Sequence, residues 1–361
     1  MVTLSSIVPK VDLRSRIHRL RSFEENCYVK REDELGFGVS GSKVRKYSSF
    51  LPSFLSEKPN EAIIPGSAYS NHVLSLSQLL KENGVKPILF LLGNPIPNVT
   101  ENLDLRSHQS PGIGRSNLVP NRDGDSACYN PKLQGNFLLT ALIAGLENIH
   151  WISRKKWGEI DDLVVEYANK RAAEGLRAIA VPKGANCASS LPGVLTLALD
   201  ILRNEKEHGI EFDHLFIDSG TGITASALLL AFALLGKQTF VHILLIAGNK
   251  EEFKNTLEQR KKDLEVLLKK PIPSPLRFNL YIPSTAPSFG SVNAAVFNAV
   301  ANLAREEGFL TDPVFTAKLF LEGKKVIKEQ KLKGNILFVH SGGGLGLTGF
   351  QEEMSKRLYT T

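Results

Sequence analysis

From residue 62 onward the chain keeps one rhythm: a short, continuously apolar run, then a stretch with helical spacing, then another apolar run. Residues 62–65, 87–92, 178–182, 214–218, 240–247 and 336–340 read as strands, and 72–83, 136–145, 191–203, 223–235, 294–307 and 317–330 read as helices. Strands that are apolar at every position, rather than at every second one, have both faces buried. That is the pattern of a parallel sheet covered by helices on both sides. We therefore expect an α/β protein with two open, twisted, mostly parallel sheets flanked by helices.

A chain of 361 residues exceeds one small core. We expect a smaller α/β domain over residues 47–155 and a larger one over 1–46 with 156–361. Two segments break the rhythm: 93–135, rich in Asn, Pro, Gly and Ser, and the proline-rich connector 271–287. The first is unusually long for a connection inside a compact domain, and reads as a functional loop or an insertion.

Composition narrows the function by exclusion. The net charge is +7, yet lysines and arginines are spread among acids with no long basic block, so nucleic-acid binding has no support and a small anionic ligand accounts for the excess equally well. The cysteines, Cys27, Cys128 and Cys187, are odd in number and widely spaced, which fits free thiols in a reducing compartment and gives no metal-ligand pattern. Residues 1–21 hold no apolar run of signal-peptide length, and the longest apolar block, 225–235, is about half of the ~20 residues needed to span a bilayer. The expectation is a cytoplasmic protein with no membrane and no metal partner.

Four segments could carry chemistry. The first is the sequence Gly-Ser-Lys-Val-Arg-Lys at 41–46, just after the charged run 30–34. Lys43 follows a glycine turn and has Arg45 and Lys46 beside it; such neighbours and desolvation lower an amine's pKa and suit it to Schiff-base formation. A solvated basic turn would look the same. The second is Ser219-Gly220-Thr221-Gly222-Ile223-Thr224, joining an apolar strand to an apolar helix. Backbone amides at such a helix start bind a phosphate, helped by the dipole, and a sharp structural turn is the alternative. Gly220-x-Gly222-x-x-Ala225 also fits the dinucleotide fingerprint, although the following strand ends in Gly248-Asn249 with Glu251 only after it, where the fingerprint needs an acid.

The third is Ser70-Asn71-His72, at the junction of a strand and a helix, where Ser70 and Asn71 either cap the helix or offer donors to a ligand. The fourth is His340-Ser341-Gly342-Gly343, at a strand's carboxyl end, where open α/β sheets bind ligands.

In this order the four segments resemble the pyridoxal-phosphate enzymes of the tryptophan-synthase β fold (fold type II), and within them the family of 1-aminocyclopropane-1-carboxylate deaminase and D-cysteine desulfhydrase. The segments Lys30-Arg31-Glu32-Asp33, Gly41 to Lys46, Leu133 to Leu139 and Pro182 to Asn186 carry the resemblance further. It implies that Lys43 holds pyridoxal 5'-phosphate and acts as the catalytic base. It places Asn71 near the cofactor's phenolic oxygen, Ser70 near the substrate carboxylate with His72 beside it, residues 219–224 around the phosphate, and Ser341 at the pyridine nitrogen. A hydroxyl in that last place, rather than a carboxylate, implies a largely unprotonated nitrogen and elimination chemistry. The family also implies a homodimer.

Two positions depart from the family, which usually carries tyrosine in a Gly-Tyr-Gly turn and in Asp-Pro-Val-Tyr, both against the bound amino acid. Here they are Phe289 and Phe315, rings without a transferable proton. Three readings follow: a lyase or deaminase releasing ammonia and a 2-oxo acid from a small amino acid; a cofactor-binding homologue with altered or lost activity; and a nicotinamide oxidoreductase built on residues 220–225.

Overall fold

The computed structural model describes residues 3–24, 26–36, 38–94, 131–274 and 276–359. Most of the long connection at 93–135, with Cys128, lies outside them. The chain begins with helix α1 (Leu4–Ile7), strands β1 (Ile17–Arg19) and β2 (Asn26–Lys30), and helix α2 (Ser42–Ser56). It continues with β3 (Glu61–Ser67), α3 (Asn71–Glu82), β4 (Lys86–Leu92), α4 (Gly135–Ala144), β5 (Ile149–Ile152), α5 (Ile160–Ala173) and β6 (Ala178–Ala180). The remainder is α6 (Leu191–His208), β7 (His214–Ser219), α7 (Ile223–Leu234), β8 (Phe240–Leu245), α8 (Lys250–Leu268), β9 (Phe278–Tyr281), α9 (Ala294–Glu307), α10 (Thr316–Gln330), β10 (Asn335–Val339) and α11 (Gln351–Tyr359).

Two sheets form, as the rhythm predicts. One has the order β1-β2-β10-β7-β8-β9 and the other β5-β4-β3-β6. Every pairing is parallel except β1 with β2. The chain divides into a larger unit, residues 1–58 with 182–361, and a smaller one, residues 59–181. These crossings differ from those expected from sequence, at 46 and 155. The reason is packing: α2 lies along α6, and β6 extends the smaller sheet beyond β3.

In the larger unit, alternate residues of one strand serve two cores. Leu215 and Ile217 of β7 join the layer under α6, α7 and α8, whereas Phe216 between them joins Phe320 and Phe338 on the side of α10. The smaller unit closes its own core with Ile63, Ile88, Phe90, Ile152, Ile160 and Val164. Among the described residues, no helix is long and apolar enough to cross a membrane, and no group of three His, Cys, Asp or Glu side chains could hold a metal ion.

Candidate active site

The carboxyl ends of β2, β10 and β7 share one edge of the larger sheet, and α2 starts there. Lys43 is therefore not in a turn, as its sequence context suggested, but in the first turn of a 15-residue helix. The helix is fixed to β10 by glycine: Gly41 has φ +68°, and a Cβ on it would lie 2.0 Å from the Ser341 carbonyl oxygen. The Ser42 amide donates to that same oxygen at 3.0 Å. Lys43 is half-buried; desolvation lowers its pKa, and the charges of Asp218 and Asp312 partly offset this. One turn on, Lys46 donates to the Gly184 carbonyl at 2.8 Å, and burial followed by the charge of Lys43 pushes it down to about 7.

Arg45 is not the neighbour of Lys43 that the sequence suggested. It points the other way, fully buried, onto Glu32 (2.5 and 2.7 Å) and Asp200 (2.7 Å). Lys30 is bonded to Asp200 in the same cluster and donates to the Ser15 carbonyl at 2.7 Å and Asn204 Oδ1 at 2.6 Å. The charged run that reads as a solvated face is a buried network seating α2 on α6.

The segment after β7 turns into α7 through Gly222, φ +89°, and no side chain caps the helix. Ser219 is buried, and its hydroxyl has no partner. Thr221 is held from outside: Asn186 donates to its carbonyl at 2.8 Å, and a Cβ on Gly184 would lie 2.6 Å from its methyl group. Amides at an uncapped helix start, beside an unpartnered buried hydroxyl, form a donor cradle for an anion. The strand that follows, β8, leads into Asn249, whose side chain caps α8 by accepting from the Glu251 and Glu252 amides. No acid stands at the end of β8 itself, where a dinucleotide's ribose would need one.

Ser341 follows β10. His340 before it is buried: its Nδ1 accepts from the Gly342 amide at 3.4 Å, so Nε2 carries the proton and donates to the Leu310 carbonyl at 2.9 Å. Two carboxylates that the sequence reading missed stand near Lys43. Asp312 caps α10, accepting from the amides of Val314, Phe315 and Thr316. Asp218 lies within β7. Burial raises its pKa to about 6, against the opposing hydrogen bond of the Ser341 hydroxyl; Asp312 adds to the rise and Lys43 lowers it. The rings of Phe289 and Phe315 meet edge to face at 5.9 Å, and a Cβ on Gly220 would lie 3.4 Å from the Phe315 ring.

Ser70, Asn71 and His72 open α3 in the smaller unit. Ser70 caps the helix, accepting from the His72 amide at 3.1 Å and the Val73 amide at 3.4 Å, while the His72 side chain is buried. Asn71 Oδ1 accepts from Asn136 Nδ2 at 2.7 Å, which leaves the Asn71 amide nitrogen as the end able to donate to a ligand. Asn136 is a further residue the sequence reading did not single out, although it sits in the 133–139 segment that carried the resemblance.

No family profile matches the chain. It is 25% identical over 342 residues to a Pyrococcus abyssi protein provisionally described as 1-aminocyclopropane-1-carboxylate deaminase, covering 94% of this chain and 90% of that protein. It is also 25% identical over 355 residues to the D-cysteine desulfhydrase of Yersinia enterocolitica, covering 96% and 97%. The chain is a relative of these enzymes. This bears out the resemblance read from the motifs to 1-aminocyclopropane-1-carboxylate deaminase and D-cysteine desulfhydrase. The fold agrees: a solved structure described as an ACC deaminase homologue superposes with a TM-score of 0.78 at 22% identity, covering 98% of this chain and 97% of that one.

Proposed function

We propose that the chain is a pyridoxal 5'-phosphate-dependent lyase or deaminase that releases ammonia and a 2-oxo acid from a small amino acid, of the kind its relatives D-cysteine desulfhydrase and 1-aminocyclopropane-1-carboxylate deaminase are named for. The observation that carries this is Lys43: a desolvated amine whose helix start is fixed against Ser341. The cradle fits the cofactor's phosphate, because the Ser219 hydroxyl lacks a partner and α7 lacks a cap. When bound, the cofactor supplies an electron sink for charge that develops at the substrate's α-carbon.

In this reading the chain's own groups bind and move protons. Residues 219–224 hold the phosphate, and the Lys43 amine is the base that takes a substrate proton. Asn71, oriented by Asn136, donates to the phenolic oxygen, and Ser70 faces the substrate carboxylate. Phe289 and Phe315 wall the substrate without donating, which favours a second outcome, a cofactor-binding homologue with changed chemistry. A cytoplasmic homodimer completes the proposal.

Absorbance of the purified protein tests it. We expect a bound-cofactor band that Lys43→Ala abolishes; no band, or a band that survives, would refute the assignment. Release of 2-oxo acid from D-cysteine, L-cysteine, D-serine and 1-aminocyclopropane-1-carboxylate then identifies the substrate, and cofactor binding without product from any of them selects the second outcome.

A further inference from the structure

Lys318 breaks two rules of placement at once. It stands in the first turn of α10, where the helix dipole opposes a cation, and its side chain is fully buried. Where its ammonium goes is therefore informative. Nζ donates to the Ala286 carbonyl at 2.8 Å and to the Ser288 carbonyl at 3.4 Å, both in the connection between β9 and α9. Ala286 has φ +54°, a left-handed conformation that a residue with a Cβ holds only when its surroundings impose it. Its side chain shares a small core with Ala317, Val296 and Val300. Two more side chains of α10 take the start of the same connection: Glu322 accepts from the Ser284 hydroxyl at 2.8 Å and the Thr285 amide at 2.9 Å, and Lys325 donates to the Ser284 and Thr285 hydroxyls at 2.8 and 2.6 Å. Of these three, Lys318 is the one that bonds at Ala286 and beyond it.

The residue after Ser288 is Phe289, whose ring meets that of Phe315 at 5.9 Å. Phe315 stands directly before α10, so one helix carries one ring at its own end and reaches the other through Lys318. Phe289 is half exposed, and burial of the ring itself does not hold it there. Resting on the substrate site proposed above, we infer that Lys318 is a positioning residue: its ammonium clamps the 286–288 backbone to α10 and so sets the spacing of the Phe289 and Phe315 rings, which fixes the size of substrate side chain that fits beside them. Charge-assisted bonds to two carbonyls suit this task, because they fix backbone and leave the Phe289 ring free to face a ligand.

The test places 4-fluorophenylalanine at position 289 and follows its 19F signal in the cofactor-free protein. The signal should be displaced from that of the urea-unfolded chain by the Phe315 ring, and Phe315→Leu should remove the displacement. Lys318→Met keeps the volume and the apolar stem but has no donor, so it should remove the displacement too while circular dichroism stays that of the folded chain. A signal unchanged by Lys318→Met overturns the inference. If that variant does not fold, the labelled protein with Lys318 intact decides. Burial pushes the Lys318 amine down to about 8, against the charges of Asp312 and Glu322 that face it, so raising the pH from 7 to 9 should move the signal toward its unfolded position. The same step should persist in Lys325→Met, which removes the other amine on this connection; a flat signal overturns the inference. In the holoenzyme, whichever of the four amino acids named above is turned over should show KM raised about tenfold in Lys318→Met with kcat within about twofold, and an unchanged KM overturns the substrate role. Where none is turned over, the fluorine signal decides. Absence of the Lys43-dependent band in wild type refutes the cofactor site and the substrate role with it, whereas a band together with an unmoved fluorine signal overturns the clamp alone.

Discussion

At the scale of single residues, the site holds groups that the fold does not favour. Asp218 is raised to about 6 from an ordinary carboxylate value of 3.8. Its protonated form is thus favoured by folding, and the stability this gives is fully present below pH 4 and lost as pH rises through 6. Asp218→Asn has no charge to lose, so the cofactor-free variant should exceed wild type by about 3 kcal/mol at pH 8, and the gap should close below pH 4. Urea denaturation at the two pH values checks this; a gap independent of pH would mean that the carboxylate is solvated. The rings make a second case. Phe289 is 51% exposed, so a tyrosine there has room for its hydroxyl. Restoring tyrosine at both 289 and 315 should raise turnover of D-cysteine or 1-aminocyclopropane-1-carboxylate by about 10²-fold if general acid catalysis is what the chain lacks. An unchanged rate would show a pocket rebuilt for another substrate.

At the scale of elements, capping and ligand binding compete for the same atoms. The Ser70 hydroxyl is committed to two amides at the start of α3, so Ser70→Ala should cost about 1 kcal/mol of stability. Ser70→Asp separates the two roles, because aspartate caps as well as serine but repels a substrate carboxylate: we expect stability near wild type with KM raised. Normal KM in that variant would remove Ser70 from the substrate site. The same elements show what the sequence made legible. Strands β3, β4, β7, β8 and β10 are readable because each holds a short run of consecutive apolar residues, and α3, α6 and α7 because each follows a strand at helical spacing. By contrast, α8 is not legible, because its apolar core contacts, Phe253, Leu257, Leu264 and Leu268, are diluted by mostly charged residues around them. β2 escaped for the opposite reason: Lys30 looks solvated, and only the pairing with Asp200 explains its burial. Of the candidate site, Lys43, residues 219–224 and Ser341 were legible as motifs at strand ends. Asp218 and Asn136 were not, because the groups they meet lie far away in the chain, and Asp312 was not, because its hydrogen bonds are those of an ordinary local turn at the start of α10.

At the scale of the whole molecule, each unit has its own sheet and core, and the tryptophans divide unequally between them. Trp151 and Trp157, the two tryptophans of the chain, both belong to the smaller unit, where Trp151 meets Phe137 at 5.6 Å and Trp157 packs on the Ile63 core. Fluorescence therefore reads the smaller unit, whereas ellipticity reads both. Phe338 is buried in the larger unit, stacked between Phe216 at 4.9 Å and Phe320 at 5.1 Å, and truncating it to alanine should cost about 3–5 kcal/mol there. If each core sustains its own unit, Phe338→Ala should bring an early loss of ellipticity in a urea titration while the tryptophan transition keeps its wild-type midpoint. Both probes shifting together would instead mean that the two units unfold as one, and that damage beneath the Lys43 edge of the larger sheet is felt throughout the chain.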